Sequence, residues 1–235
     1  MAITIGNALL VAATVLSFNG FEDRPLGDIG YPRWWCNGDH YRYVTNVKAH
    51  GGEKSYCNID GAQAGQMAFT YAVLNAAKDP ATKAKLEACD YVRFSYWFCP
   101  DTDNANSGTE LRTNVTRALY WDVTAGGFKL APLWMSQDRR TRPDWKCSKK
   151  CVVGQWHKIE VFIPAQASAG LPAKMRVTWP DGSTEQGETD YNHTPGSLDF
   201  TAVQIVPPWV SQTRFFLDDV EVALVSAEES PSIGK

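Results

Sequence analysis

The sequence predicts an all-β chain, a two-sheet antiparallel β-sandwich carrying one short surface helix. Three observations predict it. Short segments rich in β-branched and aromatic residues recur along the chain with alternating polarity. Clusters of Gly, Pro, Asn and Asp separate them, as turns require. The composition, 44% hydrophobic and 21% charged, is that of a chain that buries a core and not of a disordered one. No internal repeat stands at a fixed period, so residues 1–235 read as one sandwich domain.

In chain order, residues 1–16 are apolar but lack the basic start of a signal peptide. Their uninterrupted apolar run is too short to span a bilayer, and they read as a strand. Further strands are predicted at 67–74, 91–98, 118–123, 156–163, 174–179, 202–206 and 215–224. Within 156–163, the alternation sets His157, Ile159, Val161 and Ile163 inward. Residues 75–89 are rich in helix formers, and Asp79 can cap a turn that starts at Pro80. Pro180-Asp-Gly-Ser is a hairpin turn in which Gly182 is free to take positive φ. The polar tail 226–235 is expected to fray unless an assembly contact holds it.

The formal net charge of −3 supplies no basic footprint, which argues against a nucleic-acid backbone as partner. Six cysteines form an even set, suited to disulfides in an oxidising compartment. Cys36 and Cys57 bracket a loop-rich excursion and are expected to pair, as are Cys147 and Cys151. Zinc is disfavoured, because neither a second close cysteine pair nor histidines at ligand spacing accompany Cys147 and Cys151.

Three segments, in order, resemble the jelly-roll carbohydrate-binding modules of the concanavalin and laminin-G-like superfamily. They are Ser17-Phe-Asn-Gly-Phe-Glu-Asp, His50-Gly-Gly-Glu-Lys-Ser-Tyr and Phe215-Phe-Leu-Asp-Asp-Val-Glu-Val. The resemblance spans roughly residues 17–225 and implies a jelly roll. It also implies a structural calcium on Glu22 and Asp219, with carbonyls from the loop 52–54; calcium takes six to eight oxygen ligands. The acidic loop 101–110 fails the EF-hand pattern, with Ala105 at its fifth position, and reads as a solvated turn.

The resemblance implies a non-catalytic protein that binds a polysaccharide or glycan outside the cell or at a cell or virion surface. An alternative is a structural subunit of a virion or extracellular filament that meets neighbouring subunits. A second alternative is a polysaccharide lyase or glycoside hydrolase on the same fold. Its best residues are Glu110 and Arg112 in Gly108-Thr-Glu-Leu-Arg-Thr, which resembles the Arg-x-Glu-Leu-Arg strand of alginate-lyase-like enzymes. Gly108 replaces the first Arg, and Gln204-Ile-Val lacks the histidine of the partner motif, so the acid and base of a lyase are missing from the match. Binding has better candidates. Nine tryptophans and nine tyrosines exceed the obvious needs of one core, and aromatic faces stack on sugar rings. Trp34, Trp35, Tyr41, Tyr43, Trp134 and Trp145 lie in polar stretches, the last two beside Arg140. Trp34 and Trp35 alternate in a strand, so at most one stands on a binding face.

Overall fold

The computed structural model describes residues 13–26, 34–36, 42–58, 67–69, 79–103, 105, 108–113, 117–132, 140–165, 170–191, 200–206 and 214–232. Its strands are β1 (Thr14–Asn19), β2 (Trp34–Cys36), β3 (Arg42–Thr45), β4 (Ser55–Asn58), β5 (Met67–Phe69), β6 (Tyr91–Pro100), β7 (Gly108–Thr113) and β8 (Arg117–Thr124). They continue as β9 (Gly127–Pro132), β10 (Trp145–Lys146), β11 (His157–Pro164), β12 (Ala173–Thr178), β13 (Thr184–Thr189), β14 (Phe200–Val206) and β15 (Phe215–Val225). A helix α1 (Pro80–Ala88) starts where Asp79 and Pro80 predict it, with the Lys83 amide donating to the Asp79 carbonyl at 2.8 Å. Among the described residues, no helix is long and apolar enough to cross a membrane.

The strands form two antiparallel sheets. The first runs β13-β12-β11-β6-β15-β4-β3, with β1 also on β15; the second runs β10-β9-β8-β7-β14-β5-β2. Alternation places Phe94, Tyr96 and Phe98 of β6 and Ile159, Val161 and Ile163 of β11 against Leu119, Trp121 and Val123 of β8 and Leu130 of β9. Trp121 joins the two sheets directly. Its ring packs 6.0 Å from Phe94, and its Nε1 donates to the Tyr96 hydroxyl at 3.2 Å, so the buried polar atoms satisfy each other. The β12–β13 hairpin turns through Gly182 at φ 80°, as its sequence predicts. His157 is buried between Phe128 and Trp179. Its Nε2 accepts the Val152 amide at 3.1 Å, which puts the proton on Nδ1.

The outer face of the first sheet is less exposed than alternation alone suggests. Tyr91, Phe162, Ala223 and Val225 are buried there as one cluster, and Cys57, Cys99 and Phe216 as another. Glu160 is buried on the same face among Arg176 at 2.6 Å, Lys158 at 3.7 Å and Arg93 at 3.9 Å. Burial works against its charge, yet these cations hold its carboxyl below the usual range. The tail does not fray over 226–232. Lys174 Nζ donates to Ser230 Oγ at 2.9 Å and to the Pro231 carbonyl at 3.0 Å, Gln186 Nε2 donates to the Ser232 carbonyl, and the Ala227 amide donates to Asp90. Over 226–232 the chain's own Lys174, Gln186 and Asp90 supply these contacts. In the apolar opening the described strand runs Thr14–Asn19; residues 1–12 and 233–235 lie outside the described residues.

The expected disulfides are not formed. Cys57, Cys147 and Cys151 are free thiols, as are Cys89 and Cys99. Cys57 stands on β4 of the first sheet, whereas Cys36 stands on β2 of the second. Cys57 and Cys99 flank Phe216 in one register row, one strand to either side of it. Cys147 and Cys151 are near in sequence, but each sulfur bonds backbone instead: Cys147 to the Lys149 carbonyl and Cys151 to the Thr124 carbonyl, both at 3.0 Å. Burial pushes the Cys57 thiol up to about 12 and that of Cys99 up to about 11, so neither is a ready nucleophile or metal ligand.

Gly187 in β13 marks a close approach. A Cβ there would lie 1.9 Å from Cδ1 of Trp145, whose ring closes that end of the sandwich. Gly187→Ala is expected to cost about 1–3 kcal/mol through overpacking. In a thermal melt this is a fall of roughly 2–4 °C per kcal/mol for a chain of this size. In a Trp145→Ala background the same change is expected to cost little; equal losses in both backgrounds would show that the ring is not what Gly187 accommodates.

Candidate functional site

Register across the second sheet decides which residues share a face. One row of paired positions runs Trp34, Phe69, Val203, Leu111, Leu119, Pro132, and Leu119 is in the core. A second runs Cys36, Met67, Ile205, Thr109, Trp121, Leu130, and it ends on two fully buried core residues. The row between them runs Trp35, Ala68, Gln204, Glu110, Tyr120, Ala131. Alternation therefore stands that row on the face opposite the core. At roughly 4.8 Å per strand, Trp35 and Tyr120 are about 19 Å apart, with an amide residue and an acidic residue between them.

By register, Trp34 belongs to the row that contains the core residue Leu119, and Trp35 to the row between the two core rows. Glu110 falls in the same outer row, beside Gln204 on β14 and Tyr120 on β8, and Arg112 pairs in register with Arg117 and Ala202. At the β9 end, Asp144 holds Lys129 and Arg140, each at 3.0 Å, and Arg140 Nη2 also donates to the Pro132 carbonyl. Two sequence candidates lie elsewhere. Tyr43 is on β3 of the first sheet, packed on Cys57, Cys99 and Phe216. Trp145 lies against Gly187 and packs on the core at the sandwich end. Tyr41 and Trp134 lie outside the described residues. Tyr120 and Lys129 are not among the sequence candidates; the period-2 pattern of β8, in which Leu119, Trp121 and Val123 are buried, is the signal that could have found Tyr120.

Glu22 and Asp219 do converge, on the Gly51–Gly52 turn. A Cβ on Gly51 would lie 3.0 Å from Asp219 Oδ2, and one on Gly52, at φ 69°, would lie 2.5 Å from Glu22 Oε1. The groups around them do not fit a calcium ion, which needs oxygens. The loop presents N–H groups: the amides of Glu53 and Lys54 donate to Glu22 Oε1 at 3.0 and 2.9 Å. His50 Nδ1 lies 2.8 Å from Asp219 Oδ2. Among the described residues, no three side chains of His, Cys, Asp or Glu gather as a metal set.

Beside Asp219, which takes φ 48° at a bulge in β15, Asp218 is fully buried. Its Oδ2 accepts the amides of His50 at 2.8 Å and Gly51 at 3.2 Å, and its Oδ1 accepts that of Asp219. Burial pushes its carboxyl up to about 6, against the pull of those amides. His50 also stacks on Trp97, ring centres 3.7 Å apart, and meets Trp156 edge-on. Asp218 thus ties the 48–54 loop to the last strand.

No protein-family model and no curated protein matches the chain. Solved structures do. An alginate lyase from Aplysia kurodai is similar over 90% of this chain and 100% of its own, with TM-score 0.61 and 7% identity. A carbohydrate esterase from the Shiga toxin-encoding bacteriophage phi24B is similar over 91% and 100%, with TM-score 0.57 and 12% identity. An endo-β-1,4-glucuronan lyase from the fungus Trichoderma reesei is similar over 90% and 96%, with TM-score 0.53 and 10% identity. The chain shares their fold, and its two antiparallel sheets form the jelly-roll β-sandwich that the sequence predicts.

The raised carboxyl of Asp218 has a defined pH consequence. The folded protein keeps this proton between about pH 4, where an unfolded Asp releases it, and about pH 6. The stability it contributes is full below about pH 4 and is lost as the pH rises through about 6. Relative to wild type, Asp218→Asn is therefore expected to gain about 3 kcal/mol between pH 4 and pH 7 in denaturant titrations. Taking the difference removes the opposing effect of His157, whose burial lowers its pKa and disfavours the fold as the pH falls. A gap that stays constant with pH would show Asp218 ionised throughout.

Proposed function

We propose that the chain binds a polysaccharide along the outer row of its second sheet and performs no chemistry on it. The row itself carries the reading. Trp35 and Tyr120 stand four strands apart, suited to stacking on sugar faces, with Gln204 and Glu110 between them suited to hydroxyl groups. Lys129 and Arg140 at the β9 end add positive charge for acidic substituents. That the structures sharing this fold include a carbohydrate esterase, an alginate lyase and a glucuronan lyase supports a carbohydrate ligand.

One observation favours a second reading, a polyuronate lyase: register sets Glu110 beside Gln204 and Arg112 beside Arg117. Elimination needs the uronate carboxylate neutralised and a base and an acid placed at the sugar. Val206 stands where the resembled motif has its histidine, which leaves Tyr120 and Glu110 as the residues of this row able to move a proton.

Calorimetric titration against a panel of neutral polysaccharides and polyuronates, with ultraviolet absorbance of the same mixtures for unsaturated sugar ends, separates these readings. Tight binding of at least one polysaccharide is expected, weakened about tenfold or more, some 1.4 kcal/mol, by Trp35→Ala or Tyr120→Ala, without absorbing product. Product formation, abolished by Tyr120→Phe, would replace binding with the lyase reading. Absence of binding across the panel, together with a native mass above that of one chain, would instead support a structural subunit of a surface assembly.

A further inference from the structure

We infer that the clasp between the opening turn and the 48–54 loop is closed by a built-in cation, the Lys54 ammonium, and needs no divalent metal. Lys54 Nζ donates to the Glu22 carbonyl at 2.8 Å and to the Arg24 carbonyl at 2.7 Å. These two carbonyls belong to the turn whose carboxylate, Glu22, accepts the amides of Glu53 and Lys54. The ammonium and the two amides therefore hold one turn together, the ammonium on its carbonyls and the amides on its carboxylate.

The arrangement excludes calcium by charge and by geometry. A calcium ion within about 2.3–2.6 Å of the same carbonyls would stand against the ammonium that already bonds them. Two of the loop amides it would approach already donate to Glu22, and an ion needs oxygen there. On the Asp219 side the imidazole of His50 meets the carboxylate. The Gly51–Gly52 pair suits the clasp, because a Cβ on Gly52, at φ 69°, would stand 2.5 Å from the Glu22 carboxylate and one on Gly51 would crowd that of Asp219 at 3.0 Å. Phe21, buried at φ 63° where the opening turn begins, is held in a conformation that a free chain would leave. Lysine is suited to this position because it carries three donors on a flexible stem and can meet two carbonyls at once.

The clasp lies on the first sheet and is independent of the polysaccharide row. Its test is a set of thermal melts on the full chain, in excess calcium and in excess EGTA, with metal counted in the purified protein. Wild type is expected to melt at the same temperature in both and to carry no stoichiometric calcium. Lys54→Met keeps the apolar stem and removes the ammonium; it is expected to melt about 5 °C lower in both solutions. A wild type that calcium stabilises by several degrees, or a Lys54→Met chain that melts with wild type, overturns the inference. Should the Met variant not fold, Lys54→Gln, which keeps a donor without charge, replaces it, and the wild-type comparison decides alone.

Discussion

The two sheets are locked where Trp121 of β8 meets Phe94 and Tyr96 of β6, and both faces of the molecule follow from that contact. A fully buried tryptophan removes a large apolar area from water, but only if its N–H finds a partner; Tyr96 supplies one from the opposite sheet. With Trp121 inward, every second residue of β8 is assigned, and pairing carries the assignment through β7 and β14 to β2. A one-residue slip would exchange the core row for the outer one and bury the polar positions. The proposed binding face is thus a consequence of core packing five strands wide.

Much of this was legible in the sequence. The alternation of His157, Ile159, Val161 and Ile163 could be read directly, as could the Pro80 helix start and the Gly182 turn, because each depends on residues near in the chain. The outer face of the first sheet was not. Phe162 reads as an exposed aromatic until Tyr91 of β6 and Ala223 and Val225 of β15, the last two more than sixty residues later, are seen to bury it. Cysteine parity misled for a similar reason. Cys57 and Cys99 come close by strand order, yet Phe216 stands between them, and no spacing rule contains that fact.

The candidate site was legible only in fragments. Trp34 and Trp35 were known to face apart, but choosing between them required four strand pairings. Asp218 and Asp219 are indistinguishable as letters; the bulge buries one with three amides and leaves the other to His50. Glu22 and Asp219 both stand against the Gly51–Gly52 turn. What the motif could not convey is that the amides of Glu53 and Lys54 turn toward Glu22, a matter of peptide orientation and not of residue type.

The bulge at Asp219 has a further consequence for how the chain reaches its native state. By breaking β15 into two registers, it lets one strand pair with β4 through Phe215–Leu217 and with β1 through Val220–Leu224, while β6 runs along its other side. The first and last strands are therefore neighbours, with Thr14 opposite Leu224. Such contacts close loops of nearly the whole chain, the entropically slowest kind to form. Because β15 is the central partner of β6, the first sheet closes only after every described strand of the second sheet has been made.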